Sequence, residues 1–137
     1  MTPRKLKQAE KEHFEQGIIN SYKKIWDLEF MRKQIKNMRE QYRITYDRLT
    51  EQTSAFEVRI QKLKERNNAE DPEEITLSEK KMDELNKDRE QLKAQMDAAD
   101  NQINGYDKDG QHFEGMNETI DAHQSNIALF KEHITTL

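Results

Sequence analysis

Apolar residues recur at every seventh position along most of the chain. One row has seven apolar members in eight: Phe14, Ser21, Leu28, Ile35, Tyr42, Leu49, Phe56 and Leu63. A second row has eight in nine: Ser78, Leu85, Leu92, Ala99, Tyr106, Phe113, Ile120, Ile127 and Ile134. A seven-residue repeat is typical of long helices that pack along a narrow apolar seam. The pattern therefore predicts an all-α, coiled-coil protein.

A break in the repeat predicts where the first helix ends. The two rows lie fifteen residues apart instead of fourteen, so a continuous helix cannot keep both on one seam. Asn67 and Asn68 tolerate the left-handed conformation that ends helices, and Asp71-Pro72 has the residues of a helix start. We predict a helix over about 3–66, a turn over about 67–71, and a second helix from 72. A capping box at Thr76 and Glu79 allows a start about one turn later.

Charge favours the pairing of these two helices. Residues 1–66 carry 16 basic and 10 acidic side chains, a net charge of +6, whereas residues 67–137 carry 7 and 17, a net charge of −10. Opposite charges attract, and a short turn sets consecutive helices antiparallel. We predict that residues 1–137 form a single elongated domain, a long antiparallel helical hairpin.

The second helix is weakened by a glycine-rich segment. Three of the four glycines lie within residues 105–115, and each costs a helix about 1 kcal/mol relative to alanine. The row of apolar residues nevertheless keeps its phase through Tyr106 and Phe113, which favours a kinked but continuous helix with Phe113 opposite Leu28. The alternative is a loop, after which residues of about 116–135 form a separate third helix.

A second apolar face on the first helix is the main functional candidate. Ile19, Tyr22, Trp26 and Phe30 are spaced by three or four residues, so they share one side of a helix. We name these four residues the aromatic stripe; Phe130 lies in the part of the chain that the hairpin brings near it. The stripe is either covered by the C-terminal segment in a local three-helix core or used as a docking surface. We favour docking, because large exposed apolar patches usually mark contacts.

A cluster of acidic residues near the predicted turn is a second candidate. It consists of Glu70, Asp71, Glu73 and Glu74. Such residues keep the start of a helix solvated, and their negative charges are stabilised by the positive end of the helix dipole. They would also suit an acidic tip that a regulator or chaperone-like adaptor inserts into a partner enzyme or channel.

Few residues have a pattern that indicates chemistry. Asp107-Lys108-Asp109-Gly110, with Glu118 at position twelve, resembles the beginning of an EF-hand calcium loop, but His112 stands where that loop needs glycine. We find no catalytic constellation or phosphate loop, and predict no enzymatic activity, cofactor or metal.

Cysteine is absent, and neither a signal peptide nor a transmembrane segment is recognisable, so we expect a cytoplasmic or otherwise intracellular protein without membrane insertion.

Composition narrows the class of function. Apolar residues make up 33% and charged residues 36% of the chain, which is too polar for a thick globular core with a ligand pocket. The net charge of −4 argues against direct nucleic-acid binding. We expect a structural or assembly protein that serves as a spacer or scaffold and docks, through the stripe at the open end of its hairpin, onto itself or a larger complex.

Overall fold

The computed structural model describes residues 2–66 and 71–137. They form helices α1 (Pro3–Arg66), α2 (Asp71–Asn104) and α3 (Met116–Thr136). In these ranges there is no β-strand, only an isolated bridge between Tyr106 and His112. The predicted all-α fold with a helical hairpin is confirmed, and so is the alternative in which the C-terminal residues form a separate third helix. No described helix is long and apolar enough to cross a membrane.

The helix starts follow local capping chemistry. At α1 the hydroxyl of Thr2 accepts a hydrogen bond from the backbone N–H of Lys5 (3.3 Å), which satisfies one of the free donors of the first turn. Helix α2 begins at Asp71, and the hydroxyl of Thr76 donates back to the carbonyl of Pro72 inside that helix. The later start at Thr76 is therefore wrong. The predicted helix end at Asn67 and Asn68 lies outside the described residues.

The seven-residue repeat marks the packed face of α1. Every member of the row from Phe14 to Leu63 is buried or half-buried. The second row behaves in the same way from Ser78 to Ala99. It fails only at Tyr106 and Phe113, which expose 45% and 42% of their surface, and it holds again at Ile120, Ile127 and Ile134. The seven-residue spacing therefore continues through the glycine-rich segment although the helix does not.

The glycine-rich segment is a loop, so the predicted kinked helix is wrong there. Helix α2 ends because Gly105 adopts φ +86°, a left-handed conformation that caps helices. In the pattern typical of such caps, the N–H groups of Gly105 and Tyr106 both donate to the carbonyl of Asn101, at 2.7 and 3.0 Å. The N–H of Phe113 then donates to the carbonyl of Gly105 (2.8 Å), which closes the loop ahead of α3.

The chain divides into two compact units: the first comprises the chain up to Lys36 and Asp100–Leu137, and the second comprises Asn37–Ala99. The core of the first unit is formed by Ile25, Ile120 and Ile127, with Ile18 and Leu28 packed against them.

Leu28 therefore contacts this cluster instead of lying opposite Phe113. In an antiparallel pair of helices, the numbers of two facing residues have a constant sum. The predicted pairing of Leu28 with Phe113 gives a sum of 141, whereas the observed hydrogen bond between Arg32 and Asn117 (2.8 Å) gives 149.

In the second unit, α1 packs along α2. Ile60, Leu63, Leu85 and Met96 are its buried apolar residues. A seam arginine also joins the helices: Arg89 donates to the hydroxyl of Tyr46 (3.3 Å) and lies 5.1 Å from the centre of its ring. Polar contacts of this kind on a seam fix the register of paired helices.

Candidate docking surface

The aromatic stripe lies on the outer face of α1 in the first unit. Trp26 exposes 78% of its surface and Phe30 exposes 62%. Ile19 and Tyr22 are about half exposed. The spacing of three and four residues aligns the four side chains along one face of the helix, so they form a continuous apolar strip.

Helix α3 packs on the other apolar face of α1 and leaves the stripe open. Its buried residues Met116, Ile120 and Ile127 point to the seam, where Ile120 and Ile127 contact Ile25. Helix α3 reaches the stripe from one side, where Lys131 donates to the hydroxyl of Tyr22 (3.4 Å) and lies 5.9 Å from the centre of its ring, and Gln124 lines a groove together with Tyr22 and Trp26. The local-core alternative required the C-terminal segment to cover the stripe. In the structure this segment leaves Trp26 exposed.

The structure separates Phe130 from the other four candidates. Phe130 is half-buried between the helices, with its ring centre 6.0 Å from that of Phe14. A Cβ atom added at Gly17 would lie 2.9 Å from the ring of Phe130, so the glycine admits this side chain. Phe130 thus holds α3 on α1. A glycine inside a helical pattern was the available sign of such a close approach.

Trp26 forms a wall shared by two open grooves. One, of about 540 Å³, is lined by Ile19, Tyr22, Lys23, Ile25, Trp26, Glu29 and Gln124. The other, of about 440 Å³, is lined by Trp26, Asp27, Glu29, Phe30 and Lys33. Aromatic side chains in the centre and charged groups at the rim are the arrangement found in protein–protein contacts.

The acidic candidates do not form one exposed surface. Asp71 is buried and accepts two hydrogen bonds from Arg66, at 3.1 and 2.6 Å; the hydrogen bond to Asp71, with its charge, raises the pKa of the Arg66 guanidinium. Glu74 pairs with Arg59, whereas Glu73 is exposed. Glu70 lies outside the described residues. The structure thus assigns Asp71 and Glu74 to contacts with α1.

We expect Asp71→Ala to destabilise the second unit by about 2 kcal/mol, because it removes a two-point, charge-assisted contact from a buried position. Urea unfolding followed by circular dichroism measures the change. Glu73→Ala, two residues away and exposed, is the matched control and should change the free energy of unfolding by no more than about 0.5 kcal/mol. Equal effects of the two substitutions would contradict a structural role for Asp71.

In the segment that resembles an EF-hand loop, the first carboxylate accepts hydrogen bonds from the backbone of the same loop. Oδ1 of Asp107 accepts hydrogen bonds from the N–H groups of Asp109 and Gln111, both at 2.9 Å. The last position of the motif, Glu118, contacts the ring of His112. Throughout residues 2–66 and 71–137, no group of three or more His, Cys, Asp or Glu side chains is placed to hold a metal ion.

Comparisons of the chain with protein-family models, with curated proteins and with solved structures found no match.

Proposed function

We propose that this chain is a non-enzymatic coiled-coil protein that acts as a structural or assembly component, a spacer or scaffold, and docks onto other protein chains through the aromatic stripe. The observation that carries the proposal is the 78% exposure of Trp26 in the middle of a continuous apolar strip. Trp is among the residues most enriched at binding hot spots, and leaving its large apolar surface in water is unfavourable.

Two further features support a protein partner. The stripe lies on a long regular helix, and an extended helix face suits another helix better than a small molecule. The charged rim of Lys23, Asp27 and Glu29 can orient a partner while the aromatic centre supplies affinity.

The alternative function, a regulator that inserts an acidic tip into an enzyme or channel, has less support. Asp71 and Glu74 are paired with arginines of α1, so their charges are partly neutralised before any partner arrives. A partner would have to replace Arg66 at a carboxylate that is only 2% exposed.

Photo-crosslinking in the native cell tests the proposal directly. A photoreactive residue at Lys23, at the edge of the stripe, should form adducts with another protein molecule, because docking would bring that molecule within reach. The same residue at Lys62, an exposed position of the second unit, is the control. Adducts at neither position, or equally at both, would contradict docking through the stripe.

A double substitution measures how much the stripe contributes to docking. Trp26→Ala with Phe30→Ala should keep the helical content of the chain, since neither side chain is in the core. Truncation of such aromatic residues typically costs about 2 kcal/mol or more, which is roughly a thirtyfold loss of affinity. The test is loss of the adducts at Lys23 in the double variant. The control is Leu77→Ala with Leu129→Ala, which removes exposed apolar residues outside the stripe and should preserve the adducts.

A further inference from the structure

The end of α2 carries the chain's only Asn-Gly pair, Asn104-Gly105. Asparagine followed by glycine is the pair most prone to spontaneous deamidation, because glycine has no Cβ atom to keep its backbone nitrogen away from the preceding side chain. Asn104 is exposed, so water can reach its side-chain amide and ammonia can leave. The pair therefore has both the chemistry and the access that the reaction needs.

In the closed structure the reacting groups are held by hydrogen bonds. The N–H of Gly105 donates to the carbonyl of Asn101 (2.7 Å), and the side-chain carbonyl of Asn104 accepts from the side-chain amide of Asn117 (3.2 Å). Deamidation requires the Gly105 nitrogen to lose its proton and to approach the side-chain carbonyl carbon of Asn104. The bond to Asn101 opposes this, because it stabilises the N–H where it is.

We propose that Asn104 is a modification site of the folded chain, at which spontaneous deamidation proceeds whenever the last turn of α2 opens. Helix ends and loops open at a much lower free energy than a protein core. The opening breaks the hydrogen bonds that Gly105 and Tyr106 donate to Asn101, while the core of the first unit stays packed. The cap therefore sets the rate, and the product accumulates irreversibly with the time that the end of α2 spends open.

The reaction consumes only water. The deprotonated nitrogen of Gly105 bonds to the side-chain carbonyl carbon of Asn104, and the amide group takes up a proton from solvent and leaves as ammonia. This step closes a succinimide ring. Water then adds to either of the two ring carbonyl carbons and breaks its bond to the ring nitrogen. One opening gives aspartate, and the other gives isoaspartate, in which the main chain runs through the former side chain.

Both products disturb the contact that closes the loop. Aspartate places a negative charge at the C-terminal end of α2, which the helix dipole disfavours. Isoaspartate lengthens the main chain by one carbon atom directly before Gly105. A Cβ atom at Gly105 would already lie 2.8 Å from the backbone nitrogen of Gly115, so there is no space for a longer main chain. The isoaspartate form therefore releases the loop from the start of α3.

Mass spectrometry of the full chain tests the site. The folded chain is kept at physiological temperature and pH, sampled over weeks and digested, and isoaspartate is identified by fragmentation of the peptide that contains position 104. Asn104 should convert, whereas Asn126, which is also exposed but precedes isoleucine, should stay intact. In guanidinium chloride, which unfolds the chain and removes the cap, conversion of Asn104 should be at least about tenfold faster. A folded chain in which Asn104 stays intact overturns the proposal. Equal rates in the folded and unfolded chains overturn the control by the cap.

A glycine substitution tests the role of the cap inside the folded chain. A Cβ atom at Gly115 would lie 2.4 Å from the nitrogen of Gly105, so Gly115→Ala should displace that nitrogen from Asn101 and speed conversion about tenfold. Gly110→Ala is the matched control, because an added Cβ atom there meets nothing within 4 Å. It should leave the rate within about threefold of the wild type, since its strain lies outside the cap. Equal acceleration by both variants overturns the control by the Gly105 hydrogen bond.

Two substitutions of Asn104 test the effect on the loop. Asn104→Gln keeps an amide but would need a larger ring, which forms far more slowly, so its melting temperature should not change on ageing. The wild type should lose thermal stability as isoaspartate accumulates. Freshly purified Asn104→Asp carries the charge of one product without the longer main chain, and it should melt above the isolated isoaspartate form. An isoaspartate form as stable as the wild type overturns the release of the loop.

Discussion

Ile120→Asp should lower the melting temperature of the chain by about 10–20 °C. Ile120 is the most buried apolar residue of the described core, with 2% of its surface exposed, and it contacts the cluster of Ile25 and Ile127. The substitution removes apolar burial and leaves an unpaired charge inside, which together cost about 4 kcal/mol. A change of that size shifts the melting temperature of a small domain by this amount.

Leu129→Asp is the matched control for this prediction. Leu129 lies on the same helix, nine residues further on, but exposes 53% of its surface. Its substitution introduces the same charge without burying it, so the melting temperature should change by no more than about 2 °C. Thermal unfolding followed by far-ultraviolet circular dichroism measures both variants. If the two shifts are similar, α3 is not held on α1 through Ile120.

Gly115→Ala should destabilise the loop between α2 and α3 by about 3 kcal/mol. A Cβ atom at Gly115 would lie 2.4 Å from the backbone nitrogen of Gly105 and 2.6 Å from its Cα atom. Backbone atoms cannot rotate away as a side chain can, so the end of α2 and the start of α3 would have to separate. Overpacking typically costs about 1–3 kcal/mol, and the rigid neighbours place this site at the upper end.

Alanine substitutions at the other two loop glycines distinguish the cost of a steric clash from the cost of backbone strain. Gly110 has φ +78° but no atom within 4 Å of an added Cβ atom. Gly110→Ala should therefore show strain alone, about 1 kcal/mol. Gly105→Ala should be at least as damaging as Gly115→Ala, because it combines φ +86° with a Cβ atom 2.3 Å from the carbonyl oxygen of Phe113. Chemical denaturation of the three variants gives their order. An effect of Gly110→Ala equal to that of Gly115→Ala would contradict the close backbone approach.

The helical seams and helix starts could be predicted because they depend on neighbours in sequence. A seven-residue repeat needs only helical periodicity to gather its members on one face. The row from Phe14 to Leu63 is accordingly buried or half-buried throughout. The start of α1 likewise depends on one local contact, between Thr2 and Lys5. Periodicity also identified the aromatic stripe as a face distinct from the seam.

The glycine-rich segment shows where this local reasoning fails. Spacing alone kept Tyr106 and Phe113 in phase with the seam, yet both are exposed. In the structure Gly105 caps α2, and its backbone lies close to that of Gly115. That contact joins residues ten positions apart, and no periodic pattern records it.

The sequence by itself determined the all-α class, the seam of α1 and the membership of the aromatic stripe, because each follows from the rotation between successive residues of a helix. Only the tertiary structure decided which face of α1 is covered by α3. Both faces are apolar, and the sequence left open whether the C-terminal segment also covers the stripe. The register set by the loop places Ile120 and Ile127 against Ile25, and Gly17 makes room for Phe130. These contacts hold α3 on the seam and leave Trp26 in solvent, where a partner can reach it.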